Sequence, residues 1–294
     1  MVQVSVIIPT YNRKDLLPRA LRSVLQQVTD TQKGVCHPTE VIVADDGSTD
    51  GTREMIERDF PSAQYFHQPN QGPAAARNRG IERARGQWIA FLDSDDEWLP
   101  GKLRAQLDFF EKNSDVLIHQ TEEIWVRNGK RVNPMKKHRK YGGWIFEKCL
   151  PLCLISPSAV IMHRRLFDEV GLFDESLPAC EDYDLWLRVA CRFPVGLTEK
   201  PYVMKYGGHP DQRSREFPAM DRFRIYAMKK ILNGGGLTPA QTEAVRKMLE
   251  EKERIYNQGA LKRNKSCVIL RPKAEESQLR DPSLRLPVRQ AGSG

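Results

Sequence analysis

The chain has 294 residues and a formal net charge of +8, from 46 lysines and arginines against 38 aspartates and glutamates. That length suits one large domain or two small ones, and no run of about twenty apolar residues is present to serve as a membrane-spanning helix. The six cysteines form no CxxC pair and no zinc-ligand spacing, so they read as free thiols in a reducing compartment rather than as a disulfide framework.

Residues 2–9, VQVSVIIP, form an apolar strand, and Leu16, Leu17, Leu21, Val24 and Leu25 follow at helical spacing. Residues 41–44, VIVA, are a second strand that ends at Asp45-Asp46-Gly47, after which Thr49 and Asp50 look like the cap of a helix running through Glu57. Residues 64–67 are a weaker third strand. Residues 72–85 are a helix rich in Ala and Arg, closed by Gly86. The strand at 88–92 runs straight into Asp93, Asp95 and Asp96, and a helix spans about 100–113. Strand–helix alternation with short linkers implies βαβ units and a mostly parallel sheet flanked by helices.

Beyond Asp115 the pattern changes. Strands are expected at 116–118, 124–126, 131–132 and 158–162, with Asn128-Gly129 as a hairpin turn. Helices are expected at 181–191, 219–232 and 239–261. Residues 279–294 carry two prolines and little apolar periodicity and read as disordered. The expected organisation is therefore 1–115 and 116–215 as two halves of one α/β domain, 216–265 as a C-terminal helical extension and 266–294 as a disordered basic tail.

Three like charges within four residues repel, and a bound divalent cation is the usual reason to keep them together. Mg²⁺ and Mn²⁺ take oxygen ligands, and Mg²⁺ typically uses one or two carboxylates plus substrate phosphates. Four polar segments follow predicted strands: Pro9-Thr10-Tyr11-Asn12, the run from Asp45 to Asp50, Asn70-Gln71-Gly72 leading to Arg77, and Asp93-Ser94-Asp95-Asp96. Parallel strands bring such segments to one crevice. Acids there suit a base N–H or ribose hydroxyls, Tyr11 suits a base, and Arg77 with the helix start at Gly72 suits phosphates. Each has a plainer reading as well: Asn12 or Asp50 as a cap, Arg77 as a solvated helix charge.

The runs VSVIIPTYN, VADDGSTDGT, NQGPAAARNRG and GQWIAFLDSDDEW resemble the nucleotide-binding half of family 2 glycosyltransferases of the GT-A fold. The resemblance is close over residues 1–115 and looser to about 210. It implies a Rossmann-like GT-A domain that uses a nucleotide-diphosphate sugar, most often a UDP-sugar, with Mn²⁺ or Mg²⁺. It assigns Asp93 to the ribose, Asp95 to the metal, and Asp46 to the base with Thr10 and Tyr11 beside it. Pro9, Asn12, Asp45, Gly72, Arg77 and Ser94 complete the donor set. The segment EDYDLWLR resembles the family's catalytic-base segment, which implies that Asp182 deprotonates the acceptor hydroxyl. A sugar hydroxyl is a poor nucleophile and has to lose its proton as it attacks. Asp184 and Arg188, four apart on the same helix, are placed to pair. Glu181, Trp98 and Arg213 are candidates for acceptor contact or loop closure. By the same resemblance His209 is a further metal or diphosphate contact, against a structural role for a lone histidine in a Gly-rich loop.

The family's processive synthases carry a QxxRW motif and membrane helices; this sequence has neither, which implies transfer of one or a few sugars. The basic stretch 127–148, with Tyr141 and Trp144, is expected to meet an anionic or lipid-linked acceptor, or else to be a solvated loop. A cytoplasmic protein lying against the inner face of a membrane is expected, with no nucleic-acid partner. The two C-terminal helices are expected to dock on the catalytic domain, to cover the acceptor site or to mediate a homodimer. The rival readings are a sugar nucleotidyltransferase, which normally opens with a Gly-rich loop that Pro9-Thr10-Tyr11-Asn12 lacks, and a non-catalytic nucleotide-sugar sensor or adaptor.

Overall fold

The computed structural model describes residues 3–29, 39–133, 135–208, 216–217 and 219–262. The expected basic tail, His209 and Arg213 lie outside these residues.

Alternation within an apolar run decides how the centre is built. In β1 (Val4–Thr10) all seven residues are buried. Val4, Val6 and Ile8 pack into one hydrophobic cluster and Ile7 into another, on opposite faces of the sheet. β2 (Thr39–Asp45) divides in the same way, with Val41 and Val43 on one face and Ile42 on the other. Strands covered on both faces are the mark of a parallel sheet sandwiched by helices. β1 pairs in parallel with β2 and with β4 (Trp88–Phe91), and β2 pairs in parallel with β3 (Gln64–His67). Thr10 is registered with Asp45, and Asp45 with His67, so these strands end level at one edge.

The crossovers are α1 (Leu17–Thr29), α2 (Thr52–Asp59) and α3 (Pro73–Arg83). α3 lies so close to β1 that a methyl group on Gly80 would stand 2.4 Å from Ile7 Cγ2. After β4 come β5 (Glu97–Trp98) and α4 (Lys102–Lys112).

The second half extends the sheet with mixed pairings, in the order β3-β2-β1-β4-β8-β6-β9-β5. β8 (Val160–His163) is antiparallel to both β4 and β6 (Ile118–Arg127). β9 (Gly196–Gly207) runs parallel to β6, with register shifts around Glu122, and antiparallel to β5. β6 turns into β7 (Lys130–Val132) through Asn128 and Gly129 at φ 49° and 73°, the left-handed pair that a tight hairpin needs. Parallel pairing thus holds for β3-β2-β1-β4 and for β6-β9, and antiparallel pairs join them. The strand at 116–118 is longer than expected and merges with 124–126 into β6. β5, β9 and α6 (Arg165–Val170) were not expected. β5 has two residues, and β9 carries Pro201 and charged residues on a half-exposed strand, so neither has an apolar alternation to read.

α5 (Phe146–Cys149) and α7 (Glu181–Ala190) pack against each other beneath the site. The C-terminal helices α8 (Asp221–Gly234) and α9 (Pro239–Lys262) pair with each other, and Phe223, Ile225, Met228, Ile231 and Val245 join the cluster that holds Ile7, Phe91 and Trp186. Of the three roles considered, the structure has them docked on the catalytic domain. Lys230 Nζ donates to Asp174 at 2.6 Å and to Asp184 at 3.0 Å. Asp184 also pairs with Arg188, as its four-residue spacing suggests. No helix among the described residues is long and apolar enough to cross a membrane. The four described cysteines, Cys149, Cys153, Cys180 and Cys191, are free thiols.

Candidate active site

Each strand-end loop on the level edge is tied to its neighbour by backbone hydrogen bonds to side chains. At the end of β1, Pro9 and Thr10 are buried, and Tyr11 just after it is 48% exposed. Asn12 takes φ 51°, accepts from Thr49 N at 2.9 Å, and donates its own N–H to Ser48 Oγ at 2.7 Å. Asp50 accepts from Lys14 N at 3.0 Å and from Thr52 N and Oγ1, in the turn that enters α2 at Gly51. These contacts make Asn12 and Asp50 ties between the two loops; the cap of α2 is Gly51, without a side-chain bond.

Asp45 is fully buried and accepts from Tyr65 Oη at 2.7 Å and Ser48 N at 2.9 Å. Burial and this carboxylate hold the Tyr65 phenol well above its ordinary range. Asp46 accepts from Gln68 Nε2 at 2.8 Å, Gln71 N at 2.9 Å and Gly72 N at 2.8 Å. Gly72 itself has φ 96°, a conformation that suits glycine. Asp46 therefore orders the loop from Gln68 to Gly72 that leads into α3, while Asp45 ties Tyr65 and Ser48 to the end of β2.

Arg77 departs from the expectation that it faces phosphates. It is 5% exposed, and its guanidinium spans two carboxylates, Nη2 to Asp93 Oδ1 at 2.8 Å and Nη1 to Glu181 Oε1 at 2.6 Å. Burial works against its charge, and Asp93 and Glu181 outweigh burial and hold it firmly protonated. Glu181 is buried as well. Burial, with Asp182 next to it, raises its carboxyl above the usual range against the pull of Arg77. This fork joins the acid loop to the first turn of α7, which is 104 residues from Arg77 along the chain.

Within the acid loop the carboxylates have separate environments. Asp96 is 1% exposed, accepts from Ser158 Oγ at 2.6 Å and Tyr206 N at 3.0 Å, and so ties the loop to β9. Burial drives its carboxyl well above the ordinary range; Lys205 opposes this, while Asp95 and Asp93 reinforce it. Ser94 is buried and Asp95 half-buried. The Asp95 carbonyl accepts from Arg19, whose guanidinium lies 3.7 Å over the Tyr206 ring.

Trp98 is a correction. It is 2% exposed within the core, its Nε1 donates to Ser158 O at 2.8 Å, and Lys102 Nζ sits 3.9 Å over its ring. It shapes the floor under the acid loop and has no face for an acceptor. Lys140 is a second correction: it is 5% exposed and pairs with Glu123 at 3.3 Å, so it is not part of a solvated basic loop.

Asp182 lies half-buried in the first turn of α7, where the helix N-terminus favours negative charge. Its Oδ1 accepts from Tyr183 N at 2.7 Å and its Oδ2 from Cys153 Sγ at 3.4 Å.

Lys205 of β9 is the functional candidate that sequence reasoning missed. Burial alone would lower its affinity for a proton, but the charges of Glu123, Asp96, Asp93 and Asp182 hold it above the ordinary lysine range. Its Nζ donates to Ser156 Oγ at 3.2 Å. Burial alone would raise Glu123; Lys140 and Lys205 bring it down to about 2. A lone lysine on a strand without alternation carries no spacing signal. The parallel pairing of β9 with β6 carries it to Glu123, and the antiparallel pairing of β9 with β5 carries it to the acid loop.

Residues 5–171 match the sequence model of the family described as Glycosyl transferase family 2. The chain belongs to this family. An uncharacterized family-level relative, a glycosyltransferase of Rickettsia bellii, is 37% identical over 196 residues, 66% of this chain and 27% of that protein. The UDP-Glc:alpha-D-GlcNAc-diphosphoundecaprenol beta-1,3-glucosyltransferase WfgD of Escherichia coli is 33% identical over 192 residues, 63% of this chain and 69% of that one. The chain thus spans about a third or less of the length of the first rickettsial relatives, at 27% and 32%. Two solved structures share the fold. S. aureus TarS 1–349 in complex with UDP-GlcNAc superposes with a TM-score of 0.66 at 21% identity, covering 85% of this chain and 71% of that one. Mannosyltransferase PcManGT from Pyrobaculum calidifontis, in complex with GDP-Man and Mn²⁺, superposes with a TM-score of 0.61 at 16% identity, covering 94% of this chain and 79% of that one. The family 2 chain described here accordingly has a GT-A-like mixed α/β sheet with added C-terminal helices.

Proposed function

We propose that this family 2 glycosyltransferase moves a sugar from a nucleoside-diphosphate sugar, most directly a UDP-sugar, to an acceptor hydroxyl with inversion at the anomeric carbon. The observation that carries the reading is the Arg77 fork, which joins Asp93 of the donor half to Glu181, next to Asp182. The relatives add a class of pathway: WfgD is named for a UDP-sugar donor and a lipid-diphosphate-linked acceptor. Synthesis of a cell-envelope polysaccharide or glycoconjugate, with transfer of one or a few sugars, is the setting that fits.

In this mechanism the base and ribose lie along the edge formed by Pro9, Thr10, Tyr11, Asp46 and Asp93. The acceptor oxygen attacks the anomeric carbon, its proton passes to Asp182, and the bond from that carbon to the diphosphate oxygen breaks. The leaving diphosphate carries away the electron pair, and Lys205 supplies fixed positive charge near the acids around it.

The donor set also fits a divalent cation. Among the described residues no group of three or more His, Cys, Asp or Glu side chains is gathered to hold a metal alone. Asp93 is engaged by Arg77 and Asp96 by Ser158 and Tyr206, and Asp95, half-buried between them, is the carboxylate that the family resemblance assigns to Mg²⁺ or Mn²⁺. One carboxylate plus substrate phosphates is an ordinary Mg²⁺ arrangement. When bound, such an ion neutralises charge on the departing diphosphate. His209 and Arg213 stay as proposed contacts to the same group.

Calorimetric titration of UDP, GDP and dTDP, each with Mn²⁺ and with EDTA, tests the donor reading. One nucleotide is expected to bind in a metal-dependent way, and Asp95→Ala is expected to abolish the metal dependence. Absence of binding by all three would reduce the resemblance to one of fold.

An anionic membrane surface is the proposed location of the acceptor. Met135 and Trp144 are 61% and 68% exposed, and Lys136, Lys137 and Arg139 are exposed beside them in sequence. Basic residues near an anionic leaflet contribute about 1 kcal/mol each. Reversing Lys136, Lys137 and Arg139 to Glu is therefore expected to weaken sedimentation with phosphatidylglycerol vesicles by roughly a hundredfold or more. Lys140 is kept in the variant because of its buried pair with Glu123. Equal sedimentation of variant and parent would remove the membrane from the proposal.

A further inference from the structure

We infer that Cys153 is a positioning residue for the catalytic base: its thiol holds the Asp182 carboxylate in the orientation that receives the acceptor's proton. This rests on the reading of Asp182 as the base.

The contact is built from both sides. Cys153 lies in the loop that follows α5, and it is half-buried. Tyr183, the residue after the base, sends its hydroxyl to Leu150 O at 2.7 Å and so pins this loop to the first turn of α7. The loop in turn sends the Cys153 thiol to Asp182 Oδ2 at 3.4 Å, while Tyr183 N holds Oδ1 at 2.7 Å. Each carboxylate oxygen thus has one protein donor, and the carboxylate plane is defined without a strong hydrogen bond to Oδ2. A thiol is a weak donor. It orients the oxygen through a weak contact and leaves the carboxylate's remaining lone pairs open to the acceptor's proton.

The thiol proton has a second acceptor, Ile155 O at 3.2 Å. Before transfer, the charged carboxylate is the better partner. Once Asp182 has taken the acceptor's proton, the thiol proton can turn to Ile155 O. No bond to sulfur forms or breaks, and the thiol stays neutral throughout. Burial and the Asp182 charge both hold the Cys153 thiol well above its ordinary range, in keeping with that state.

The other groups that act on Asp182 are Glu181 on its own helix, Arg77 from α3, Lys205 from β9 and the Cys180 thiol just before α7. All of them remain when Cys153 is changed, so a change in the pH profile can be assigned to the thiol.

The test compares Cys153→Ala, Cys153→Ser and Asp182→Asn in the full chain. Cys153→Ala is expected to lower kcat roughly five- to tenfold, the loss of one modest hydrogen bond, with the donor KM unchanged. Its acid limb in kcat/KM is expected to move to higher pH, because a donor to the charged form is gone. Cys153→Ser restores a donor and is expected to recover turnover, with the acid limb at or below that of the parent. A second readout needs no activity. Modification of Cys153 by N-ethylmaleimide, followed by peptide mass spectrometry, is expected to speed up in Asp182→Asn, because the neighbouring negative charge is gone. Unchanged kinetics in Cys153→Ala, or an unchanged modification rate in Asp182→Asn, would overturn the role of Cys153 while loss of turnover in Asp182→Asn keeps the base. Retained turnover in Asp182→Asn would overturn the base and the Cys153 role with it.

Discussion

Asp182→Asn is expected to lower turnover by about 10²–10⁴-fold, the usual contribution of a positioned base, while nucleotide affinity stays as in the parent. The separation follows from the contacts. Asp182 is held by Tyr183 N and Cys153 Sγ, and none of its hydrogen bonds goes to the loops after β1, β2 or β3. Those loops are ordered instead by Asp45, Asp46 and Asn12. Asparagine has nearly the same shape and keeps an acceptor for Tyr183 N, so folding is expected to survive. The measurement is steady-state transfer from a UDP-sugar alongside calorimetric titration of UDP. Loss of nucleotide binding in this variant would place Asp182 in donor recognition. Turnover within about threefold of the parent would rule out its role as base, since proton abstraction is worth far more.

Arg77→Met is expected to damage stability and the site together. Arg77 is 5% exposed and neutralises Asp93 and Glu181, the latter also next to Asp182. Removing one partner of a buried ion pair leaves charge uncompensated and typically costs 3–5 kcal/mol, so a loss of about that size is expected. In a domain of this size that corresponds to a fall in melting temperature of roughly 10 °C. Glu181 already sits above the usual carboxyl range, and without Arg77 its carboxyl is expected to move higher still, because the charge that opposes its burial is gone. Arg77→Lys keeps the charge but not the fork, because one ammonium cannot span two carboxylates with parallel N–H donors; an intermediate loss is expected. Thermal unfolding and UDP titration of both variants check this. A melting temperature within about 2 °C of the parent, too small a change for a buried bridge, would return Arg77 to the plainer role of a solvated helix charge.

Some features were legible in the sequence because they depend on neighbours along the chain. The runs VSVIIPT and TEVIVAD bury both faces, so they read as central parallel strands. Asn128-Gly129 supplies left-handed residues, so it reads as a hairpin turn. Asp184 and Arg188 face each other through helix geometry alone. The acid loop followed from charge repulsion at a strand end, and the family from four ordered motifs in the first 115 residues.

Partnership across long separations was decided by the tertiary structure. Arg77 looks like any helix arginine until the fold sets the first turn of α7 near α3 and brings Glu181 to it. Lys140 belongs to a basic run in sequence, and its burial with Glu123 is settled by where β6 places that acid. Trp98 looks available for an acceptor, but it lies under the acid loop because β5 pairs with β9, a pairing of two residues that no local pattern announces. Lys205 reaches the acids through the pairing of β9 with β6 on one side and with β5 on the other. The amino-acid sequence by itself determined the parallel core, its strand-end motifs and the family, since strand period, turn geometry and close charge repulsion act within a few residues. The tertiary structure alone decided which charges are buried together, because ion pairing and desolvation depend on distance in space.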